Sequence, residues 1–294
     1  MPDFLDPSIE RKSKIVDQTL ELSSNGLPLP SVVEISESGT CNRACAFCPR
    51  SAPSFPDVKE FISADLIDKV STQLNDVGYQ GIVLFSGFVE PLLDVEIFNH
   101  LKLFNQNTPN ARLELVTNGD VLDEKCLARL FESGLSTLLI SVYDGPEDVD
   151  RFRRMCDAAG LKEDQYVIRN RYLPPEDNFG ITLSNRGGMM EEAEHKIESA
   201  KSPIELSCYY PHYTFFMDYL GDVLMCPHDW GKKHIVGNLF NNDFLEIWNG
   251  ILINAARKRL ANGDRAFSPC DTCDVKGTLM GRQHFFAWQK YNQL

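Results

Sequence analysis

The sequence is short of positive charge. Its 294 residues include 29 lysines and arginines against 42 aspartates and glutamates, and the basic residues form no cluster. Binding to nucleic acid phosphates or to anionic membrane surfaces depends on such clusters. We therefore expect neither nucleic acid nor a membrane among the partners of this protein.

Long apolar segments are also missing. The longest apolar stretches surround Ile82–Phe85 and Leu138–Val142, which are far too short to span a bilayer. Residues 1–6 are acidic and lack an apolar core, so we expect no signal peptide. These features predict a cytoplasmic protein.

Cysteine, in contrast, is plentiful, with nine residues. A reducing cytoplasm disfavours a disulfide framework, so metal binding or catalysis is the better prediction for these thiols. Seven of the nine fall into two sets, one before residue 50 and one after residue 200.

The order of the predicted elements indicates an α/β fold. Between residues 31 and 159, short β-branched or apolar stretches alternate with segments of helical periodicity. The predicted strands are Ser31–Ser36, Gly81–Ser86, Ala111–Val116 and Thr137–Val142, and the predicted helices are Ser63–Val77, Asp94–Asn105, Glu124–Ser133 and Glu147–Ala159. Regular alternation implies right-handed parallel crossovers. The chain length favours a partial parallel (β/α)6-type barrel over a closed eight-stranded one.

The pattern changes after about residue 186. Tyr213–Cys226 has the pattern of a β-hairpin that turns at Leu220-Gly221-Asp222, and Phe244–Leu260 is predicted to be a short helix. We therefore place a boundary near residue 200. The predicted parts are an N-terminal extension (1–30), the partial barrel (31–200) and a small C-terminal β-hairpin-plus-helix domain that contains the second cysteine set (201–294).

The first cysteine set, Cys41, Cys45 and Cys48, lies in a loop directly after the first predicted strand. Three thiolates at this spacing can coordinate three irons of a cubane cluster and leave the fourth iron open to a ligand. A structural zinc site would need a fourth protein ligand nearby, and the nearest histidine is His100. The spacing therefore favours an iron–sulfur cluster.

The segment CNRACAFC (residues 41–48) resembles the signature loop of the radical S-adenosylmethionine (SAM) superfamily. The resemblance implies a [4Fe–4S] cluster that cleaves SAM to methionine and a 5′-deoxyadenosyl radical, which then abstracts a substrate hydrogen. It also implies a partial β/α barrel, an external electron donor such as flavodoxin or ferredoxin, and a cofactor-binding position for Phe47.

A second segment, SGFVEP (residues 86–91), resembles the Gly-Gly-Glu-Pro stretch that binds the SAM amino group, with a valine where the second glycine is usual. The resemblance implies that Glu90 accepts hydrogen bonds from that ammonium group. Thr117 and Asn118 end the third predicted strand, and Ser141 lies near the end of the fourth. Strand ends on this rim carry ligands in β/α folds, so we expect contacts to the SAM ribose and carboxylate.

The second cysteine set consists of Cys208, Cys226, Cys270 and Cys273. Four thiolates can close the coordination sphere of zinc or of a fully ligated [4Fe–4S] cluster, and their spacing alone does not choose between the two. The presence of the first set favours an auxiliary iron–sulfur cluster.

Three segments of this region, at residues 221–227, 236–239 and 247–248, resemble the SPASM/twitch auxiliary-cluster domain, whose twitch form has four cysteines and one cluster. The segment LSNRGG (residues 183–188), the 17-residue gap between the first two cysteines of this set and the final Cys-x-x-Cys resemble the 2-deoxy-scyllo-inosamine dehydrogenase-like enzymes. In those enzymes the arginine of this segment contacts the substrate, which implies the same role for Arg186.

This resemblance implies oxidation of an alcohol carbon on a small polar substrate, such as a sugar or an aminocyclitol, with the auxiliary cluster taking an electron. The reaction needs a base or a hydrogen-bond donor near the substrate oxygen. Arg186 can hold substrate oxygens but cannot deprotonate at neutral pH. His228 and Asp229 follow Cys226 closely and are candidates, although His228 is equally suited to be a hydrogen-bond partner of the cluster.

Other functions stay open. An epimerase would return a hydrogen from a thiol, for which Cys156 is a better candidate than Cys126, which is expected to lie in a helix core. Peptide modification occurs among enzymes with this domain, although about thirty residues before the first strand are too few for an independent peptide-binding domain. A non-enzymatic zinc or iron–sulfur binding protein would leave the segment around Glu90 unexplained.

Overall fold

A continuous sheet forms the centre of the molecule, in a computed structural model that describes residues 6–292. The strands are β1 (Val32–Ser36), β2 (Ser38–Gly39), β3 (Val58–Phe61), β4 (Ile82–Phe85), β5 (Arg112–Thr117), β6 (Thr137–Val142), β7 (Tyr166–Asn170), β8 (Thr214–Asp218), β9 (Asp222–Leu224) and β10 (Ile235–Asn238). The α-helices are α1 (Pro7–Gln18), α2 (Ala64–Asp76), α3 (Ile97–Asn107), α4 (Glu124–Glu132), α5 (Pro146–Ala158), α6 (Tyr210–Tyr213), α7 (Phe244–Trp248), α8 (Ile251–Ala261) and α9 (Arg282–Asn292).

The main sheet has eight strands in the order β10-β9-β8-β1-β4-β5-β6-β7. The six strands from β8 to β7 run parallel, whereas β9 and β10 pair antiparallel at one edge. The sheet keeps two separate edges, β10 and β7, and is not closed. This arrangement confirms the predicted α/β fold with a partial parallel barrel.

The sixth parallel strand comes from an unexpected part of the chain. The hairpin predicted for Tyr213–Cys226 forms as β8 and β9, but β8 pairs with β1 in the main sheet, from Val32–Thr214 to Ser36–Asp218. The sheet is therefore continuous across residue 200, and the domain boundary at that position stays a prediction.

Side chains along each strand point alternately to the two faces of the sheet, so each face carries its own set of residues. One face packs Val33, Val83, Leu115 and their neighbours against α2, α3, α4 and α5. The other face is concave and more polar, with Glu34, Ser86, Ser141 and Arg169 on alternate strand positions. A cofactor or substrate inside the partial barrel would meet this polar face.

Sequence patterns located the central elements and missed peripheral ones. The four predicted strands and four predicted helices between residues 31 and 159 all form, with ends shifted by up to three residues. The predicted helix Phe244–Leu260 is wrong in one respect, since it is two helices that break at Asn249 and Gly250. Strands β3 and β7 and helices α1 and α9 were not predicted.

Within residues 6–292, no helix combines the length and the apolar character that crossing a membrane requires.

The C-terminal helices are joined to the rest of the protein by a buried arginine. The Arg257 guanidinium lies between two indole rings, 4.1 Å from the Trp248 centroid and 3.6 Å from that of Trp288. It donates to the carbonyl oxygens of Pro211 at 2.8 Å and Trp248 at 2.7 Å. Burial lowers the pKa of Arg257 well below its usual range, and the carbonyl oxygens and the two ring faces oppose this effect because they favour the cation.

We expect Arg257→Met to lower the free energy of unfolding by about 2–4 kcal/mol, because it removes three charge-assisted hydrogen bonds, the third of them to Asn254 Oδ1, and two cation–π contacts. Urea unfolding followed by tryptophan fluorescence measures this loss. Arg154→Met, at an exposed position of α5, is the matched control. A difference between the two variants of less than about 0.5 kcal/mol would contradict the stabilising role of Arg257.

Candidate active site with two cysteine sets

The first cysteine set lies in the loop that follows β1 and β2, at the end of the sheet where the parallel strands terminate. Cys41, Cys45 and Cys48 are half-buried and lie close enough together for a charge on one to raise the pKa of another. Burial is the largest cause of the raised pKa values, and it raises that of Cys45 to about 12. Thiolates at this position therefore need added positive charge, which bound iron supplies.

Ion pairs fix this loop to the ends of two neighbouring strands. Arg43 donates from Nε to Asp120 at 2.8 Å and from Nη1 to Asp144 at 3.0 Å. Its guanidinium also lies 4.9 Å from the centre of the Tyr143 ring. Asn42 accepts a 2.7 Å hydrogen bond from Asn118. The cysteine loop is thus held over the carboxyl ends of β5 and β6.

The structure brings together three of the residues expected to bind the cofactor. The Glu90 carboxylate accepts hydrogen bonds from Thr117 Oγ1 and from the Asn118 backbone N–H, both at 2.7 Å. It accepts a third from the backbone N–H of Leu92 at 3.0 Å. Burial raises the pKa of Glu90 to about 7 against the effect of these bonds. Glu90 is only 2% exposed. Its hydrogen bonds to Thr117 and Asn118 join the loop after β4 to the end of β5, and these residues form part of the rim of the partial barrel.

Ser141 has a partner that sequence patterns did not reveal. Arg169, on the unpredicted strand β7, donates a 2.6 Å hydrogen bond to Ser141 Oγ, and its Nε is buried without a partner among the described residues. This pair offers a site for a carboxylate on the concave face. Phe47 packs beside it, with its ring centroid 6.1 Å from that of Tyr143 and 4.8 Å from that of Phe179.

The second cysteine set surrounds a cavity. Cys208, Cys226, Cys270 and Cys273 all line it. Burial raises the pKa of all four thiols, that of Cys226 well above its usual range. Four thiols that line a cavity fit a group of several atoms, and an all-thiolate donor set fits iron–sulfur ligation.

No three His, Cys, Asp or Glu side chains within residues 6–292 are grouped closely enough to hold a single metal ion.

A buried arginine lies beside this cavity and was also missed by sequence patterns. Arg265 is 2% exposed and donates to four backbone carbonyl oxygens, including Leu206 at 2.9 Å and Val275 at 2.6 Å. Its charge lowers the pKa of Cys208, Cys270 and Cys273 against the effect of burial. Arg265 therefore both closes the cavity wall and offsets thiolate charge.

The segment 183–188 lies between the two cysteine sets. Asn185 donates from Nδ2 to the Thr272 carbonyl at 2.6 Å, and its backbone N–H donates to the Asp274 carboxylate at 2.9 Å. Gly187 lines the second cavity. On the other side, the charge of Arg186 lowers the pKa of Cys48 against the effect of burial. Arg186 thus lies between the first cysteine set and the wall of the cavity that the second cysteine set lines.

The backbone is left-handed at Arg186 and at the two glycines that follow it. Arg186 has φ +50°, and Gly187 and Gly188 follow with φ +63° and +87°. Such left-handed backbone favours glycine and is uncommon for arginine. Its guanidinium lies 5.9 Å from the centre of the Trp230 ring.

His228, two residues after Cys226, lines the cavity of the second cysteine set. It also lies near Arg186. Its Nδ1 is 3.3 Å from Ser184 Oγ, and its ring packs edge-on against Tyr210 at 4.8 Å. Burial, followed by the charges of Arg186 and Lys12, lowers the pKa of His228 to about 3. The imidazole is therefore neutral at neutral pH and can accept or donate one hydrogen bond.

The other two catalytic candidates have different surroundings. The Asp229 carboxylate accepts from the backbone N–H groups of Lys233 at 2.9 Å and His234 at 2.7 Å, so it stabilises the turn after β9. Cys156 is fully buried in the core between α5 and the sheet. That core lies on the face opposite Ser141 and Arg169, so the fold does not bring Cys156 to the other candidates.

Comparisons with known proteins agree with this geometry. The model of the radical SAM superfamily matches residues 35–167, and the model of an iron–sulfur cluster-binding domain, SPASM, matches residues 208–274. A curated relative from Niallia circulans, S-adenosyl-L-methionine-dependent 2-deoxy-scyllo-inosamine dehydrogenase, is 29% identical over 245 residues. The alignment covers 83% of this chain and 92% of the relative.

Solved structures show the same fold. BtrN in complex with AdoMet and 2-DOIA superimposes with a TM-score of 0.69 at 28% identity, covering 84% of this chain and 94% of that one. Streptococcus suis SuiB bound to precursor peptide SuiA has a TM-score of 0.58 at 17% identity, covering 86% and 71% of the two chains, and this likeness concerns the fold alone.

The two cysteine sets, their thiol-lined surroundings and these matches lead to one identification. The protein is an enzyme of the radical SAM superfamily with a C-terminal SPASM iron–sulfur cluster-binding domain, an identity that implies SAM and two iron–sulfur clusters as its cofactors.

Proposed function

We propose that the enzyme oxidises an alcohol carbon of a small polar substrate of the sugar or aminocyclitol type. The observation that carries this proposal is the position of Arg186, which lies between the two cysteine sets on a segment anchored to the second one. A substrate held there would be close to both cofactor sites. The dehydrogenase named among the relatives supports the same reaction class.

In this proposal the cysteines divide into two ligand sets. Cys41, Cys45 and Cys48 hold the cluster that binds SAM, and the four cysteines of the second set hold the auxiliary cluster. When bound, these groups supply the radical chemistry that removes a substrate hydrogen and the acceptor for the second electron. An external one-electron donor, such as flavodoxin or ferredoxin, would reduce the first cluster.

The protein's own residues bind and orient the reactants. Glu90, Thr117 and Asn118 form the hydrogen-bonded rim around SAM, and Ser141 with Arg169 offers the site for its carboxylate. Arg186 holds a substrate oxygen. Neutral His228 accepts a hydrogen bond from a substrate hydroxyl, since its low pKa leaves it unprotonated at neutral pH.

Product mass distinguishes oxidation from epimerisation. Anaerobic incubation with SAM, reductant and a panel of polyols and amino-polyols in D₂O should give a product two hydrogens lighter than its substrate, with no carbon-bound deuterium. Cys156→Ala should still form this product, because Cys156 faces the helix side of the sheet, and Cys126→Ala is its matched control. An isobaric product that carries deuterium and is lost only in Cys156→Ala would establish an epimerase.

Arg186→Lys tests the substrate contact. We expect kcat/KM for the oxidised substrate to fall about 10–100-fold, because lysine keeps the charge but loses the guanidinium fork that spans two oxygens. Iron content and SAM binding should stay unchanged. Arg154→Lys is the control for a surface arginine. An unchanged kcat/KM in Arg186→Lys would remove Arg186 from the substrate site.

A further inference from the structure

Arg50 follows the last cysteine of the first set by two residues. It belongs to a single 3₁₀ turn, Pro49–Ser51, in which the Ser51 backbone N–H donates to the Cys48 carbonyl at 3.0 Å. Although arginine is charged, this side chain is only 7% exposed. A buried guanidinium needs partners for its N–H donors, so its contacts indicate which parts of the chain it holds together.

One set of contacts closes the loop that carries the first cysteine set. Nη1 and Nη2 of Arg50 lie 3.4 Å and 3.5 Å from the Gly39 carbonyl oxygen, and all three cysteines lie between these two residues in the chain. Gly39 is itself fixed, because β2 pairs with β3 and places it opposite Val58. Next to Val58, Asp57 forms an ion pair with Arg50. Arg50 therefore ties the end of the cysteine loop to its beginning.

Another contact of Arg50 reaches the loop after β4. Nη1 donates to the Phe88 carbonyl oxygen at 3.1 Å. Phe88 lies two residues before Glu90, in the segment that resembles the SAM-binding stretch. Within residues 6–292, no backbone N–H donates to this carbonyl oxygen, so Arg50 is the partner that fixes it. The same two loops also meet at Thr40, whose carbonyl accepts from the Glu90 backbone N–H at 3.2 Å.

The shape of the guanidinium allows it to make these contacts together. Nη1 donates to the Gly39 and Phe88 carbonyl oxygens, while Nη2 pairs with Asp57. The ring of Phe55 lies 5.4 Å from the guanidinium carbon and restricts its orientation. A lysine ammonium carries the same charge, but it is a compact point charge that lacks the planar fork. The contacts therefore depend on the geometry of arginine and not on its charge alone.

We propose that Arg50 is a positioning residue of the SAM site, which holds the Glu90 loop at a fixed distance from the three cysteines. A SAM molecule that contacts both the first cluster and Glu90 needs both loops in place at once, so its affinity depends on their spacing. This inference rests on the proposed position of Glu90 at SAM and does not depend on which substrate is oxidised.

The affinity for SAM tests this role without depending on turnover. The full chain is reconstituted anaerobically with its clusters, and calorimetry measures SAM binding to the wild type, Arg50→Lys and Arg50→Met. We expect both variants to bind SAM about tenfold more weakly, because both lose the charge-assisted bond to the Phe88 carbonyl in its present geometry. The iron content per chain should stay at the wild-type value.

Arg112 provides the matched control. It also donates to a carboxylate, at 2.9 Å from Glu114, and to a carbonyl, at 3.0 Å from Asp164, but it lies at the opposite end of the parallel strands. Arg112→Lys and Arg112→Met should therefore bind SAM like the wild type. A loss of SAM affinity in these variants as large as in the Arg50 variants would overturn the specific role of Arg50.

Hydrogen–deuterium exchange, read by mass spectrometry, follows the two loops directly. Residues 39–50 and 86–91 should both exchange faster in Arg50→Lys and Arg50→Met than in the wild type, and the Arg112 variants should leave them unchanged. If an Arg50 variant binds less iron than the wild type, exchange in residues 86–91 still decides, because this segment contains no cysteine.

The remaining outcomes separate this inference from the proposed site. Wild-type SAM affinity and wild-type exchange in Arg50→Lys would show that charge alone suffices and would refute the positioning role. Glu90→Gln tests the SAM site itself. Unchanged SAM affinity in Glu90→Gln would remove Glu90 from that site, whereas a loss in Glu90→Gln beside wild-type behaviour of Arg50→Lys would refute only the inference about Arg50.

Discussion

Burial of unpaired thiols is the constraint on which the rest of this structure depends. Seven cysteines lie in two places where the surrounding protein raises their pKa values. Thiolates become stable there only with bound metal, so each site is complete only when a cluster is present. Nearby arginines offset part of the remaining negative charge, Arg50 and Arg186 at the first set and Arg265 at the second.

The fold brings these two cysteine sites together from different parts of the chain. The first set follows β1, which lies between β8 and β4, and the second set is built around β8 and β9, which extend the same sheet beyond β1. Segment 183–188 crosses between them and is tied to the Thr272 carbonyl, while α1 fills the concave face below. A small substrate between Arg186 and His228 would be enclosed by segments that come from different parts of the chain.

The features that sequence patterns predicted are local ones. The spacing of the first cysteine set, the final Cys-x-x-Cys, the segment around Glu90 and the alternation of β1 to α5 all depend on short stretches of the chain. The features that were missed depend on distant partners. Arg265 donates to a carbonyl 59 residues away, and Arg169 becomes relevant only because β7 pairs with β6. The position of Cys156 also depends on distant partners, since its local sequence did not reveal which face of the sheet it would occupy.

The most direct test of this account is the metal content of the protein and its dependence on the first cysteine set. Anaerobic reconstitution should give about eight irons and about eight sulfides per chain, from two cubane clusters. Replacing Cys41, Cys45 and Cys48 together with alanine should lower both counts to about four and abolish 5′-deoxyadenosine formation, while the second cluster remains visible by electron paramagnetic resonance. A wild-type protein with about four irons and one zinc, or undiminished 5′-deoxyadenosine formation in the triple variant, would contradict it.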